Sequence, residues 1–234
     1  MPKHRLFLAA PAGQARPSFR AEIRGGLVPQ LLADAPELAS LSVNLVDATP
    51  AVPPWQRPGE PAAPAEPDFD AVIDLWGEAP VLEDALGWLA PRIAGLPQAS
   101  VRVAETIEKD VLPRPAGQVA PGVKFLALMC FHDDLPGPVA RRLWAHHAPL
   151  ALRVHVGMDR YVRDWVEAIG PDALPVPRFQ GIAELHFPSV EVMTTRWFDS
   201  EAGRAAIIHD VGHFLARATR LYTTEHVLKA PPAR

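Results

Sequence analysis

The order of apolar segments is repeated in the two halves of this chain, and the repeat limits the fold more than any other feature. Apolar or alternating segments typical of strands occur in the first half at residues 5–10, 41–46, 70–76 and 100–107. In the second half they occur at residues 123–131, 160–165, 181–187 and 221–228. Helices are expected between them at about residues 17–33, 80–94, 136–154 and 188–218. Both halves therefore predict the order β-α-β-β-α-β.

A unit of this kind is expected to form a four-stranded antiparallel sheet with both helices on one face, which is the split β-α-β or ferredoxin-like arrangement. The other face of each sheet would be left apolar, and packing the two sheets together would remove it from water. The sequence therefore predicts an α+β fold of two tandem ferredoxin-like units packed sheet to sheet. We expect a first unit at residues 1–112, a linker at 113–122 that is rich in proline and glycine, and a second unit at 123–234.

Composition excludes several classes of protein. The net charge of the 234 residues is −4 and no basic stripe is present, so a nucleic-acid partner is not expected. No segment approaches the roughly 18 apolar residues of a membrane span, and the apolar start of the chain is too short for a signal peptide, so we expect a cytoplasmic protein. Cys130 is the single cysteine, so no intrachain disulfide can form. Seven of the 27 prolines lie between Pro50 and Pro67, which predicts a long extended loop.

The chemically reactive residues are concentrated in the second half. Eight of the nine histidines and both tyrosines follow residue 122. Since only one copy of the duplicated scaffold carries most of these side chains, we expect one functional site in the second half and a structural role for the first half.

The segment Leu143-Trp-Ala-His-His-Ala-Pro-Leu150 resembles a motif of the EthD family. The resemblance covers about residues 123–229, is supported by segments 160–162, 181–187 and 223–228, and implies a dimeric α+β barrel, here formed within one chain. Relatives on that fold include cofactor-free cyclases, lactone isomerases, dehydratases and decarboxylases, and also heme-handling proteins. In the first half, Leu27 stands where His147 stands in the second, so chemistry is not expected there.

Three residues are the catalytic candidates. His147 shares a helix face with Trp144, and its unperturbed pKa of about 6.5 suits proton transfer near neutral pH, although a structural core histidine is the alternative. Tyr161 is a candidate donor to an oxyanion, with an interfacial structural tyrosine as the alternative. His186 shares a strand face with Glu184. If that face meets the helices, both line the pocket of His147. If it does not, they lie between the sheets, where the carboxylate needs a partner.

The substrate-binding candidates are Trp144, Glu184, His209, His213 and Tyr222. His209 and His213 are one helical turn apart, which is metal-ligand spacing, but no zincin-type motif accompanies them because Asp210 replaces the glutamate. We therefore expect a pocket-lining or surface pair and no metal. No glycine-rich phosphate loop, serine-hydrolase elbow or paired-cysteine zinc motif is present, which argues against those chemistries.

The resemblance to the EthD family, together with the candidate residues, implies a cofactor-independent enzyme that acts by proton transfer on an apolar aromatic or polyketide-like oxygenated compound. Lyase, isomerase, dehydratase and decarboxylase reactions fit this scheme. A non-catalytic binding or accessory protein of a degradation pathway and a heme-binding protein are the alternatives. The expected partner is a small-molecule substrate, and a homodimer is compatible with the sequence.

Overall fold

The computed structural model describes residues 1–50, 68–170 and 178–230. Most of the proline-rich segment for which an extended loop was predicted therefore lies outside the described residues. The strands of the described chain are β1 (Lys3–Leu8), β2 (Ser40–Leu45), β3 (Ala71–Trp76), β4 (Gln98–Asp110), β5 (Gln118–Val119), β6 (Val123–Phe131), β7 (Arg160–Ile169), β8 (Gly181–Phe187) and β9 (Leu215–Lys229).

Eight of these strands form one closed antiparallel barrel. The hydrogen-bonded order is β2-β3-β1-β4-β7-β8-β6-β9, and β9 pairs back with β2 to close the ring. The two-residue strand β5 adds to the outside of β9 at residues 226–227. The two halves meet at two seams, β4 with β7 and β9 with β2, so their strand edges are paired rather than exposed. The α+β barrel that the sequence predicted is present. Its two sets of strands, however, are joined edge to edge in one sheet.

The helices lie on the outside of the barrel. In the first half they are α1 (Arg16–Glu22), a π-helical turn (Ile23–Leu27), α2 (Val28–Asp34) and α3 (Ala79–Leu89). In the second half they are α4 (Gly137–Val154), α5 (Val190–Thr195) and α6 (Glu201–Val211). Helix α4 continues through Pro149, whose missing N–H removes one bond to the preceding turn. Among the helices of the described residues, none is long and apolar enough to span a lipid bilayer.

The last predicted helix, residues 188–218, is wrong as a single element. The chain forms two short helices and then enters β9 at Leu215. Ser189 and Ser200 each accept a hydrogen bond from a backbone N–H of the helix that follows, so each begins a separate helix. The segment from Leu215 is pulled into the sheet by its pairing with β6.

The interior of the barrel is polar at one end and apolar at the other. Alternate residues of each strand point inward, and the apolar inward residues form one buried cluster that includes Phe7, Val101, Leu126, Leu128 and Ile182. Toward the other end, the inward residues are charged. The fully or almost fully buried ions of this network are Lys3, Arg5, Asp74, Lys124, Arg160, Asp164, Glu184 and Glu225. The outward faces pack on the helices as two separate apolar cores, one in each half.

Candidate active site

An apolar cavity lies between the sheet and the helices of the second half. Its volume is about 70 Å³, several times the roughly 10–15 Å³ that one water molecule needs. Trp144, Phe125, Trp197 and Phe214 contribute aromatic walls. The polar residues that line it are His147, His155, Tyr161 and Arg220. A mostly apolar cavity with a few convergent polar groups is the kind of site that small molecules occupy.

The floor of the cavity includes two alanines at the centre of a row of paired residues that crosses four adjacent strands. Ala183 on β8 pairs with Ala127 on β6, and the row ends in Arg163 on β7 and Arg220 on β9. The two alanines leave space below the helices. Two residues earlier on β8, Gly181 makes room for Trp144, because a Cβ there would lie 2.7 Å from Cζ3 of its ring. The cavity forms here because the small side chains of the sheet fill little of the space below the helices.

His147 reaches the cavity from α4 and is held by a carboxylate of α6. Its Nδ1 lies 2.6 Å from Oδ2 of Asp210, and its ring packs edge-on against Phe214 at a centroid distance of 5.6 Å. Because a carboxylate accepts, Nδ1 carries the proton and Nε2 keeps its lone pair when the ring is neutral. Burial lowers the pKa of His147, the hydrogen bond and charge of Asp210 raise it in part, and Arg163 lowers it, with a net decrease. The imidazole is therefore a neutral base at pH 7, and the carboxylate of Asp210 binds the nitrogen that carries its proton.

Tyr161 lies under the same helix, at the end of a strand pairing with Leu185. It is buried, and burial is the main reason that its pKa is raised above the ordinary value, while a hydrogen bond with the Trp144 side chain acts in the opposite direction. Burial therefore keeps the phenol protonated. The indole N–H donates to the phenol oxygen, and the phenol O–H can donate to another group.

A second histidine, His155, lines the cavity at the end of α4. Its Nδ1 lies 2.7 Å from the carbonyl oxygen of Trp197, so Nδ1 carries the proton. Burial lowers its pKa to about 4. His155 is therefore neutral across the physiological range and presents Nε2 as an acceptor. Sequence reasoning missed this residue, although it directly follows the last residue of the helix that carries His147.

Asp210 is the more important residue that sequence reasoning missed as a functional partner. Its contact with His147 joins two helices across 63 positions. The only signal in the sequence was a carboxylate beside His209 in a segment already noted for its histidines. Arg220 was missed as well, since a single arginine in a strand carries no motif.

The predicted residues His186 and Glu184 do not join this cavity. They point into the barrel interior, as the second alternative from the sequence required. Glu184 has the partners that a buried carboxylate needs, because Arg5 and Arg160 both donate to it. His186 is fully buried with Nδ1 3.8 Å from Glu225, and burial lowers its pKa to about 3.

The remaining charges of the interior are paired across strands. Lys124 lies 2.8 Å from Glu225, and burial lowers the pKa of this lysine to about 7 despite the neighbouring carboxylates. Arg114, in the segment between the halves, also binds Glu225 through two nitrogens at 2.8 and 3.2 Å. Burial opposes ionisation of Glu225, but Lys124 and Arg114 keep its pKa well below the ordinary range. Because its charges are paired with one another, we interpret this network as structural.

The other predicted binding residues divide between cavity and surface. Trp144 lines the cavity and is buried. Tyr222 is buried on the same side of the sheet, with its ring 5.3 Å from Phe125, behind the cavity lining. His209 and His213 are exposed, with ring centroids 4.9 Å apart, and lie outside the lining. In the part of the chain that the structure describes, no group of three or more potential metal ligands occurs.

Comparison with known proteins supports the family and fold expected from the sequence. The family model of the EthD domain matches residues 139–218, which include α4, His147 and Asp210. An anthrone oxidase-like protein superimposes with a TM-score of 0.60 at 11% identity, covering 100% of this chain and 96% of that chain. A candidate monooxygenase from Fusobacterium nucleatum subsp. nucleatum ATCC 25586 superimposes with a TM-score of 0.52 at 9% identity, covering 97% of this chain and 92% of that chain. No curated protein matches the sequence. The structural similarities show a shared fold.

Proposed function

We propose that this protein is a small-molecule enzyme that removes a proton from an apolar, oxygenated ring compound bound in the second-half cavity. The observation that carries the proposal is the 2.6 Å contact between His147 Nδ1 and Asp210 at the wall of that cavity. A carboxylate that binds one nitrogen fixes the tautomer, orients the ring and stabilises the imidazolium that forms when the other nitrogen takes a proton.

The proposed step is proton transfer at a carbon next to a carbonyl group. His147 accepts the proton at Nε2, the C–H electron pair moves into the carbonyl, and an enolate forms. The Tyr161 hydroxyl donates to the enolate oxygen and stabilises its charge. The apolar walls strengthen both interactions because they exclude water. Return of the proton at another carbon gives isomerisation, and loss of a β-hydroxyl that takes the proton from the imidazolium gives a dehydratase or lyase reaction. In a decarboxylase reaction, loss of CO2 forms the same enolate, which then takes up a proton at carbon.

The names of the two structural neighbours are consistent with this first step. An anthrone is an aromatic ketone with an acidic methylene group, and the corresponding enolate or phenolate is the electron-rich form that an oxidant attacks. At 11% and 9% identity these neighbours support the compound class only as analogy. No cofactor is needed for the proton transfer itself.

Hydrogen exchange tests the proposal without knowledge of the natural substrate. 2-Tetralone, a bicyclic ketone with acidic α-hydrogens, is incubated in D2O and followed by proton NMR. We expect the protein to accelerate exchange and His147→Ala to lower the rate by about 100-fold or more, which is the usual contribution of a general base. His209→Ala, at an exposed histidine outside the cavity, is the matched control and should exchange as fast as the unchanged protein. Equal rates for the unchanged protein and His147→Ala would contradict the proposal.

Two alternatives remain measurable in the same samples. Binding of ring compounds without any exchange would favour a binding or accessory protein. An imidazole held by a carboxylate also suits an iron ligand, so a heme protein is the second alternative. A heme protein would take up heme with a strong visible absorption band, which we do not expect.

We also propose that the barrel consists of two tandem ferredoxin-like units, residues 1–112 and 123–234, joined by residues 113–122. The strand order second-third-first-fourth recurs in both halves, as β2-β3-β1-β4 and β7-β8-β6-β9. The helix-facing side of the first half contains a large apolar cluster, which includes Leu31, Leu41 and Leu82. The proposed division of labour is that the first unit closes the barrel and the second carries the reaction.

A further inference from the structure

We propose that Arg220 binds an anionic oxygen of the substrate, so that the compound taken by this cavity is a ring that carries a carboxylate or a similar oxyanion. This inference rests on the proposed function because it concerns the same cavity. It adds the chemical class of the ligand and the direction in which the ligand lies.

The first observation is the position of Arg220 on the cavity floor, at one end of the row of paired residues that includes the two alanines. Arg220 pairs with Ala127, which pairs with Ala183, which pairs with Arg163. Of these two arginines, only Arg220 belongs to the cavity lining.

The second observation is where the cavity meets solvent. Among the described residues that line it, all are buried except Ala218 and Arg220, which are half-buried and stand two residues apart on β9. The solvent-facing part of the cavity is therefore at Arg220. His147 belongs to the buried part, with 6% of its surface exposed.

These positions orient an amphipathic ligand. Burying an apolar ring against Trp144 and Trp197 is favourable, whereas removing a carboxylate from water without a partner is costly. A ring with one carboxylate therefore enters ring first and leaves its charge at the half-buried end. The guanidinium of Arg220 offers two parallel N–H donors, which match a carboxylate better than an ammonium would. The reacting carbon is thereby placed toward His147.

Calorimetry with a matched pair of ligands tests the inference. Benzoate and benzamide have the same ring and nearly the same size, and only benzoate is charged at pH 7. We expect the unchanged protein to bind benzoate at least tenfold more tightly than benzamide. Arg220→Met should remove most of this preference, because a charge-assisted hydrogen bond contributes roughly tenfold or more in affinity. Arg220→Lys should retain part of it.

Two controls separate this inference from the proposed function. Arg217→Met, at an exposed arginine on the same strand, should keep the preference for benzoate. His147→Ala should lose hydrogen exchange and still prefer benzoate, so a failed exchange experiment leaves the Arg220 result interpretable. Equal affinity for the two ligands in the unchanged protein, or absence of binding by both, would overturn the inference. A second result would also overturn it. In that result, Arg220→Met loses affinity for benzoate and benzamide equally, while Arg220→Lys and Arg217→Met keep the full preference for benzoate.

Discussion

At the scale of single residues, the chemistry depends on which nitrogen of His147 carries the proton. Asp210 fixes the proton on Nδ1, and burial keeps the ring neutral. The choice of His147 and Trp144 could be made from the sequence, because their helical spacing places them on one face. Asp210 and Arg220 could not, since their roles depend on contacts between distant elements.

Replacement of Asp210 should change the pH dependence of exchange. The rate follows the neutral form of His147, so it should rise with pH through a pKa below the usual value of about 6.5. Asp210 raises this pKa through its hydrogen bond and charge, so Asp210→Asn should shift the rise to lower pH. The plateau rate should fall by about tenfold, because a base with a lower pKa is weaker. The measurement is a rate profile for 2-tetralone exchange between pH 4 and 8.

The matched control is Glu201→Gln, since Glu201 is an exposed carboxylate on the same helix. Its profile should coincide with that of the unchanged protein. A rise that moves to higher pH in Asp210→Asn would contradict the assigned hydrogen bond.

At the scale of elements, Trp144 can form a wall of the cavity because β8 has no side chain beneath it at Gly181. A Cβ at Gly181 would come within 2.7 Å of Trp144 and 3.1 Å of both Met129 and Phe131. Strand β8 was predicted with its observed bounds, but the reason for its glycine is visible only with α4 in place.

Gly181→Ala should therefore displace Trp144 and destabilise the protein by about 1–3 kcal/mol, the usual effect of overpacking. Gly87→Ala in α3 is the control, because nothing lies within 4 Å of a Cβ there. Alanine at that helical position should stabilise by about 0.5–1 kcal/mol. Urea unfolding measures both changes. A Gly181→Ala protein as stable as the unchanged one, with unchanged benzoate affinity, would contradict the role given to this glycine.

The last third of the chain shows where sequence patterns fail at this scale. Residues 215–220 contain leucine, alanine and arginine, which favour helices, so the expected helix ran on to Ala218. Pairing with β6 overrides that preference and makes them the start of β9. The start of α6 was detectable, because Ser200 followed by Glu201 is a helix-start signal. By contrast, β6 could be predicted as a nearly continuous apolar run, because both of its faces are buried.

At the scale of the whole molecule, the barrel combines an apolar end with an interior ion network. The sequence predicted that the halves face each other, and it left open whether Glu184 meets helices or the barrel interior. It could not predict the network, because Arg5 from β1 joins Asp74 of its own half and Glu184 of the other. Such links across the halves depend on the closed barrel.

Arg5→Met should destabilise the protein by about 3–5 kcal/mol, because it leaves buried Asp74 without its guanidinium and removes one of the two arginines that bind Glu184. Arg102→Met is the control. Arg102 pairs with Glu167 at 3.2 Å on the surface, where both side chains are largely exposed, so its loss should cost less than about 1 kcal/mol. Chemical denaturation at pH 7 measures both. Similar losses of unfolding free energy in the two variants would contradict the stabilising role given to the interior ion network.

A crystal structure with 2-tetralone bound tests the central claim most directly, because it shows where a ring compound lies relative to His147. We predict that the ketone occupies the second-half cavity with an α-carbon about 3–3.5 Å from Nε2 of His147, the range of a reactive approach. A ligand bound elsewhere, or one whose every atom is more than about 6 Å from His147, twice hydrogen-bond reach, would contradict the account.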